Sequence, residues 1–311
     1  MRIAIFGVGS VGGYFGWRLA RAGEEVVFIA RGENLRILSE RGLTVETPDG
    51  KTLVQPVNAA SDPVQVGPVD TVILAVKAWQ LAEAAEALRP LIGPETFVVP
   101  LQNGVDAPSI LAEVLGEKHA FGGLCYVAAA KVGPGHIRHV GMEPRVLFGE
   151  LDDQLSERSR KLLNAFERAG VSAEIPEDIK VAMWKKFLFI ASLSGVGAFA
   201  RAPVGVIREI PDTRRALEAV ASEIFTVARA KGIKLKPDAV EATMDIIDGL
   251  PAAATASMQR DIMDGLPSEL YAQSGAIVRL GREVGQDVPL NSLIFACLLP
   301  LEMRARGEAQ F

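Results

Sequence analysis

Cysteine and histidine are scarce: the 311 residues include two cysteines and three histidines. Cys125 and Cys297 form no CxxC pair, and no histidine stands at ligand spacing from either, which argues against a zinc site. Two thiols so far apart are no disulfide framework. Each reads as a small buried hydrophobe in a reducing, cytoplasmic setting. A basic excess is also missing. With 33 Lys and Arg against 38 Asp and Glu, the formal net charge is -5, so the electrostatic footprint of a nucleic-acid binder is lacking. No basic n-region or cleavage site precedes the first apolar segment, so no signal peptide is read. The longest later uncharged apolar run, Phe187 to Ala200, falls short of the ~20 residues of a membrane span. It reads as a buried helix, and no membrane partner is expected.

The composition that remains, 49% hydrophobic and 23% charged, is ordinary for a globular chain, and the length suggests two domains. The first third alternates apolar strands with helical patterns. Strands fall at Ile3–Phe6, Val26–Ala30, Thr71–Val76 and Phe97–Pro100, and helices at Val11–Ala22, Glu33–Glu40 and Leu81–Leu91. Apolar strands separated by helices predict a parallel sheet covered on both faces. Leu43–Glu46 and Thr52–Val57, around Asp49-Gly50, read as an inserted hairpin. His119 to Glu150 is β-rich, and Leu155–Ala169 is an amphipathic helix closed by Gly170. After Pro176 the pattern is helical. Ala216–Ala230 puts Leu217, Val220, Ile224 and Ala228 on one stripe, and further helices are predicted at Asp238–Ile247, Ala252–Met263, Glu269–Val284 and Asn291–Arg304. The expected domains are 1–176 for dinucleotide binding and 177–311 for substrate and catalysis.

Glycine is placed with purpose. Gly7-Val8-Gly9-Ser10-Val11-Gly12 follows a strand and opens a helix, the GxGxxG arrangement of a dinucleotide-binding turn. Gly7 permits the tight turn, Gly9 lets the backbone approach a pyrophosphate, and Gly12 allows helix–sheet contact. The helix N-terminus supplies free N–H groups and partial positive charge. The second strand ends in Arg31 rather than an acidic residue. A carboxylate there would bind a ribose 2′-OH and repel a 2′-phosphate, whereas a guanidinium can fork onto the phosphate, so NADPH/NADP+ is favoured over NAD.

Polar residues follow two later strands: Lys77-Ala78-Trp79-Gln80, and Gln102-Asn103-Gly104. Ligands of open α/β sheets sit outside the carboxyl ends of strands, so Lys77 and Asn103 are candidate site residues. Further on, Lys185 and Lys186 begin an otherwise apolar helix. One can snorkel to water while the other binds a carboxylate or acts as a general acid, and periodicity does not choose between them.

Taken together, these motifs resemble the ketopantoate reductase family (2-dehydropantoate 2-reductase) over essentially the whole chain. They are joined by Trp184-Lys185-Lys186-Phe187 and by Ser257-Met258 with Glu269 twelve residues after the serine. The resemblance implies an N-terminal Rossmann-type doubly wound α/β sheet and an all-helical C-terminal domain like that of 6-phosphogluconate dehydrogenase. It implies NADPH-dependent reduction of ketopantoate to pantoate, towards coenzyme A. Lys186 then matches the catalytic lysine and Glu269 the carboxylate near cofactor and substrate. Asn103 matches an asparagine touching both, and Ser257 a substrate-binding serine. Lys77 and Gln80 match the loop beside the cofactor, and Ala128 a position whose backbone contacts it.

Some positions depart from the family pattern. Family members often carry asparagines four and eight residues after the lysine, facing the substrate, where this chain has Ile190 and Ser194. A further asparagine falls at Val204. Losing a polar partner costs a substrate about 1–3 kcal/mol per group, so the reductase chemistry carries over better than the substrate. The expected reaction is hydride transfer to a 2-oxo acid bound between the domains. A reductase of a more apolar 2-oxo acid or imine is the alternative, and a non-catalytic NADPH-binding sensor is a third reading that Lys186 and Glu269 argue against. The apolar helix Ser292–Leu301 is compatible with a monomer or a homodimer.

Overall fold

In the computed structural model, which describes residues 1–54 and 57–310, the first hundred residues alternate strand and helix. They run β1 (Arg2–Phe6), α1 (Ser10–Arg21), β2 (Glu25–Ile29), α2 (Gly32–Arg41), β3 (Leu43–Thr47), β4 (Gly50–Val54), β5 (Asn58–Ala60), α3 (Pro63–Val66), β6 (Val69–Leu74), α4 (Leu81–Ala87) and β7 (Ile92–Pro100). Five of these strands form one parallel sheet in the order β5-β2-β1-β6-β7. The chain builds outward from β1 to β2 and β5, then returns to add β6 and β7 on the other side. The carboxyl end of β1 is therefore the switch point where such sheets bind ligands.

Side-chain alternation explains why the buried stretches of these strands are mainly apolar. Ile3 and Ile5 join Phe28 and Val99 on one face, packed with Phe15 and Phe166. Ala4 and Phe6 join Val27, Ile29 and Val98 on the other, packed with Leu81, Ala85 and Leu111. With both faces covered, both sets of positions are mainly apolar, and the buried Thr71 of β6 donates its hydroxyl to the Phe97 carbonyl at 3.1 Å.

The chain continues through α5 (Ala107–Leu115), β8 (Phe121–Tyr126), β9 (Ala129–Gly133), β10 (His136–His139), β11 (Arg145–Glu150), α6 (Glu157–Arg168) and β12 (Ser172–Glu174). The hairpin of β3 and β4 pairs with β10 and β9 in a separate four-stranded sheet rather than extending the parallel one. Its second arm is Gly50–Val54. Gln55 and Pro56, expected to continue that arm, lie outside the described residues. A third sheet has the order β12-β11-β8.

Helices then follow without interruption: α7 (Ile179–Ala200), α8 (Val204–Glu209), α9 (Pro211–Ala230), α10 (Ala239–Asp248), α11 (Ser257–Met263), α12 (Ser274–Glu283) and α13 (Pro289–Ala305). By contacts the chain divides into two compact units, Met1–Gln102 with Ala107–Ile179, and Asn103–Asp106 with Lys180–Phe311. The short segment holding Asn103 thus belongs with the helices. The α9 stripe of Leu217, Val220, Ile224 and Ala228 is fully buried in the helical core.

Several expectations are corrected. At 22 residues α7 is longer than its apolar run suggested and could cross a membrane by length and composition, yet 67% of its most apolar window is buried within the protein. The helix expected from Ala252 starts only at Ser257, because Ala252 and Ala254 use their carbonyls to accept from Gly205 and Val204 at the start of α8. The helix expected from Glu269 starts at Ser274, and Glu269 lies in the turn before it. Cys125 is buried as expected of a small hydrophobe, but Cys297 is exposed on α13. The helices α5 and α8 were not legible as periodic segments.

Candidate active site

The glycine turn occupies the carboxyl end of β1. Gly7 has φ +99, a conformation open to glycine, and a Cβ there would sit 2.8 Å from the Ala75 carbonyl carbon. A Cβ on Gly12 would meet the Gly7 carbonyl oxygen at 2.1 Å and Ile5 Cγ2 at 3.1 Å, so α1 approaches the sheet too closely for a side chain. Gly9 differs: nothing lies within 4 Å of a Cβ built there. It is the N-cap of α1, whose first turn carries no acidic residue. The unmet N–H groups and positive end of the helix therefore face open space beside Gly9, Ser10 and Val11. Two glycines forced by packing and one left open are what a pyrophosphate-binding turn needs, so these residues fit a dinucleotide.

Asn34 pins this turn. Its Nδ2 donates to the Val8 carbonyl at 3.0 Å, and its Oδ1 accepts from Gly135 N at 2.8 Å. The sequence reading missed it, since one asparagine in the first turn of a helix carries no distinctive signal. Arg31 caps α2 from the end of β2. Its Nη1 donates to Glu83 Oε1 at 3.2 Å, with both side chains about 70% exposed (70% and 73%). Glu83 was also missed, because only the fold brings α4 to Arg31. Lys77 lies beyond the strand end, since β6 stops at Leu74 rather than Val76. Its ammonium sits 5.5 Å from the centre of the Trp79 ring, and its backbone N–H donates to Gln80 Oε1 at 3.3 Å. Ala128 has its carbonyl engaged by Val140 N at 2.7 Å.

In the helical unit, Asn103 Nδ2 donates to Glu269 Oε2 at 3.1 Å across 166 residues of sequence. The loop holding Asn103 is fitted to its neighbours. A Cβ on Gly104 would sit 3.2 Å from the Ala272 carbonyl, and Asp106 accepts from Arg279 at 2.7 Å. Arg279 is desolvated by burial, which works against its charge, but Asp106 and Glu283 outweigh this and hold the guanidinium above its ordinary pKa. Glu269 is only 7% exposed.

The two adjacent lysines separate by exposure: Lys185 is exposed and Lys186 half-buried. Ile190 and Ser194 follow Lys186 at one-turn spacing on α7, half-buried and fully buried respectively. Val204 is 1% exposed and packs in the helical core. Ser257 is the first residue of α11 and half-buried. Ser194 Oγ and both side-chain polar atoms of Gln273 are buried with no hydrogen-bond partner among the described residues.

Residues 3–153 match the family model for ketopantoate reductase PanE/ApbA, and residues 178–302 match that for its C-terminal part. The chain belongs to the ketopantoate reductase family. Ketopantoate reductases are nicotinamide-dependent oxidoreductases, and the parallel sheet followed by helices is the two-domain fold of that family. The chain is 30% identical to the uncharacterized oxidoreductase YkpB of Bacillus subtilis (strain 168), over 96% of this chain and 98% of that protein. It is 28% identical to a 2-dehydropantoate 2-reductase of Nostoc sp. over 98% of this chain and 96% of the other. The crystal structure of a PanE/ApbA family ketopantoate reductase from Ralstonia eutropha JMP134 has a TM-score of 0.89 and 32% identity, covering 98% of this chain and 100% of that one.

Proposed function

We propose that this ketopantoate reductase family member uses NADPH to reduce 2-dehydropantoate (ketopantoate) to pantoate, on the path to coenzyme A, in the cytoplasm. The observation that carries the reading is the contact between Asn103 and Glu269. It joins two residues singled out separately in the sequence, one after a sheet strand and one among the helices. When bound, NADPH supplies the hydride that reaches the ketone carbon. The chain's residues do the rest. The open N-terminus of α1, with Gly7, Val8, Gly9, Ser10, Val11 and Gly12, binds pyrophosphate, and Arg31 binds the 2′-phosphate. Lys77, Gln80 and Ala128 line the cofactor's path. Lys186 holds a proton on Nζ and delivers it to the ketone oxygen as negative charge develops there. Glu269, oriented by the Asn103 amide, fixes the substrate or the lysine, and Ser257 and Ser194 bind substrate.

A second reading rests on Ile190, which stands half-buried one turn after Lys186 where an amide would bind a polar substrate. It makes a more apolar 2-oxo acid the preferred substrate. Oxidation of NADPH and of NADH is followed with ketopantoate and with 2-oxo acids bearing larger apolar side chains. Highest kcat/KM with NADPH and ketopantoate supports the first reading, and highest kcat/KM with an apolar acid supports the second. No turnover with any of them refutes both.

A further inference from the structure

Glu302, in the last turn of α13, has a side chain with no exposure to solvent. A carboxylate so buried is tolerated only when its oxygens are met by donors. Here they accept from Ser268 N at 3.1 and 3.0 Å, from Ser268 Oγ, and from Arg306 Nε at 2.7 Å. Arg306 Nη2 also donates to the Ser268 carbonyl at 3.0 Å, and its guanidinium lies 5.7 Å from the centre of the Tyr271 ring. Ser268 Oγ accepts from Leu270 N at 3.2 Å. The N–H, carbonyl and hydroxyl of Ser268 are thus all held, three of the contacts by Glu302 and one by Arg306.

The residue that follows is Glu269. On its other side the Glu269 carbonyl accepts from Ala272 N at 3.1 Å and Gln273 N at 3.0 Å, which turns the chain into α12. Glu269 is therefore bracketed by a buried ionic clamp before it and a tight turn after it. Buried ion pairs seldom add net stability over apolar packing of the same volume, so stability alone does not account for this one. Groups that act on a substrate must be held to within about 0.5 Å, and a clamp on the neighbouring backbone supplies that restraint.

We propose that Glu302 and Arg306 are positioning residues, which act through the backbone of Ser268 to aim the Glu269 carboxylate. The inference rests on the reading of Glu269 as a site residue. Ser268→Ala removes only the hydroxyl, Glu302→Gln removes the charge, and each is made alone and together with Glu269→Gln. All are assayed for kcat, KM and melting temperature. Glu302→Gln is expected to lower kcat about tenfold and Ser268→Ala about threefold, with the dinucleotide KM within about twofold of the parent. In the Glu269→Gln background both losses should vanish, because the clamp then has no carboxylate to aim. Losses that multiply in the double variants overturn the proposal and leave Glu269 in the site. Unchanged kcat in Glu269→Gln alone instead removes Glu269 from the site, and the proposal falls with it. If Glu302→Gln does not fold, Ser268→Ala carries the cycle by itself.

Discussion

Gly9 and Gly12 stand three residues apart in one turn, yet alanine should do opposite things at the two. At Gly12 the new methyl would lie 2.1 Å from the Gly7 carbonyl oxygen, 3.0 Å from Ala75 Cβ and 3.1 Å from Ile5 Cγ2. Relief needs the first turn of α1 to move by roughly 1 Å off a sheet packed at crystal-like density, a cost of about 1–3 kcal/mol. The gain in helix propensity, about 1 kcal/mol, does not cover the upper part of that range. At Gly9 nothing lies within 4 Å of the methyl, and φ -90 with ψ -158 suits alanine. The stiffer unfolded chain contributes about 0.4–1 kcal/mol and the poorer N-cap costs a similar amount, so stability should stay within about 1 kcal/mol of the parent.

Cofactor binding should reverse the order. On the proposed reading, a methyl on Gly9 would stand where the pyrophosphate meets the helix N–H groups. Losing one or two charged hydrogen bonds, about 1.5–3 kcal/mol each, weakens the dinucleotide by about tenfold or more. Thermal melts and fluorescence titrations with NADPH on both variants measure the two effects. A Gly9→Ala protein that binds NADPH like the parent refutes the placement of the pyrophosphate. A Gly12→Ala protein that melts above the parent refutes the packing argument.

Arg31→Ala should raise KM for NADPH by about tenfold to a hundredfold and leave that for NADH nearly unchanged, since only a 2′-phosphate needs the guanidinium. Glu83→Ala, which frees Arg31 from an exposed pair worth about 0–1 kcal/mol, should lower the NADPH KM by up to about fivefold. Lys186→Ala should cut kcat by about 10²–10⁴ with NADPH affinity retained, as read by single-turnover kinetics and titration, whereas Lys185→Ala should change neither appreciably. Burial pushes the phenols of Tyr14 and Tyr126 above the ordinary tyrosine value. The stability each provides is fully present below about pH 10 and is lost as pH rises through the raised folded value. Alkaline melts of Tyr14→Phe and Tyr126→Phe should show a shallower decline than the parent.

Much of the first unit was legible because its signals are local. Gly7 and Gly12 are required by close contacts with Ala75 beyond β6 and, for Gly12, with the Gly7 carbonyl, whereas Gly9 is left open, and the apolar strands read as buried because both faces of the sheet are covered. The hairpin at Asp49-Gly50 was visible for the same reason, but its place in a second sheet was not, since pairing with β10 depends on residues some ninety positions away. In the helical unit the α9 stripe was readable from its period. The starts of α11 and α12 were not, because Ala252, Ala254 and Ser268 spend their hydrogen bonds on distant partners instead of on a helix.

The candidate site divides along the same line. Sequence alone determined the kind of chemistry on offer: a strand–glycine turn–helix for phosphates, a basic residue where an acidic one would bind ribose, and a lysine entering an apolar helix. Each depends on residue type and short spacing. Only the tertiary structure decided that Lys186 rather than Lys185 is the half-buried lysine, that Arg31 meets Glu83, that Asn103 reaches Glu269, and that Glu302 and Arg306 hold the turn beneath it. Those outcomes depend on which distant segments share a surface. Packing of whole helices sets that, and no short window of the chain encodes it.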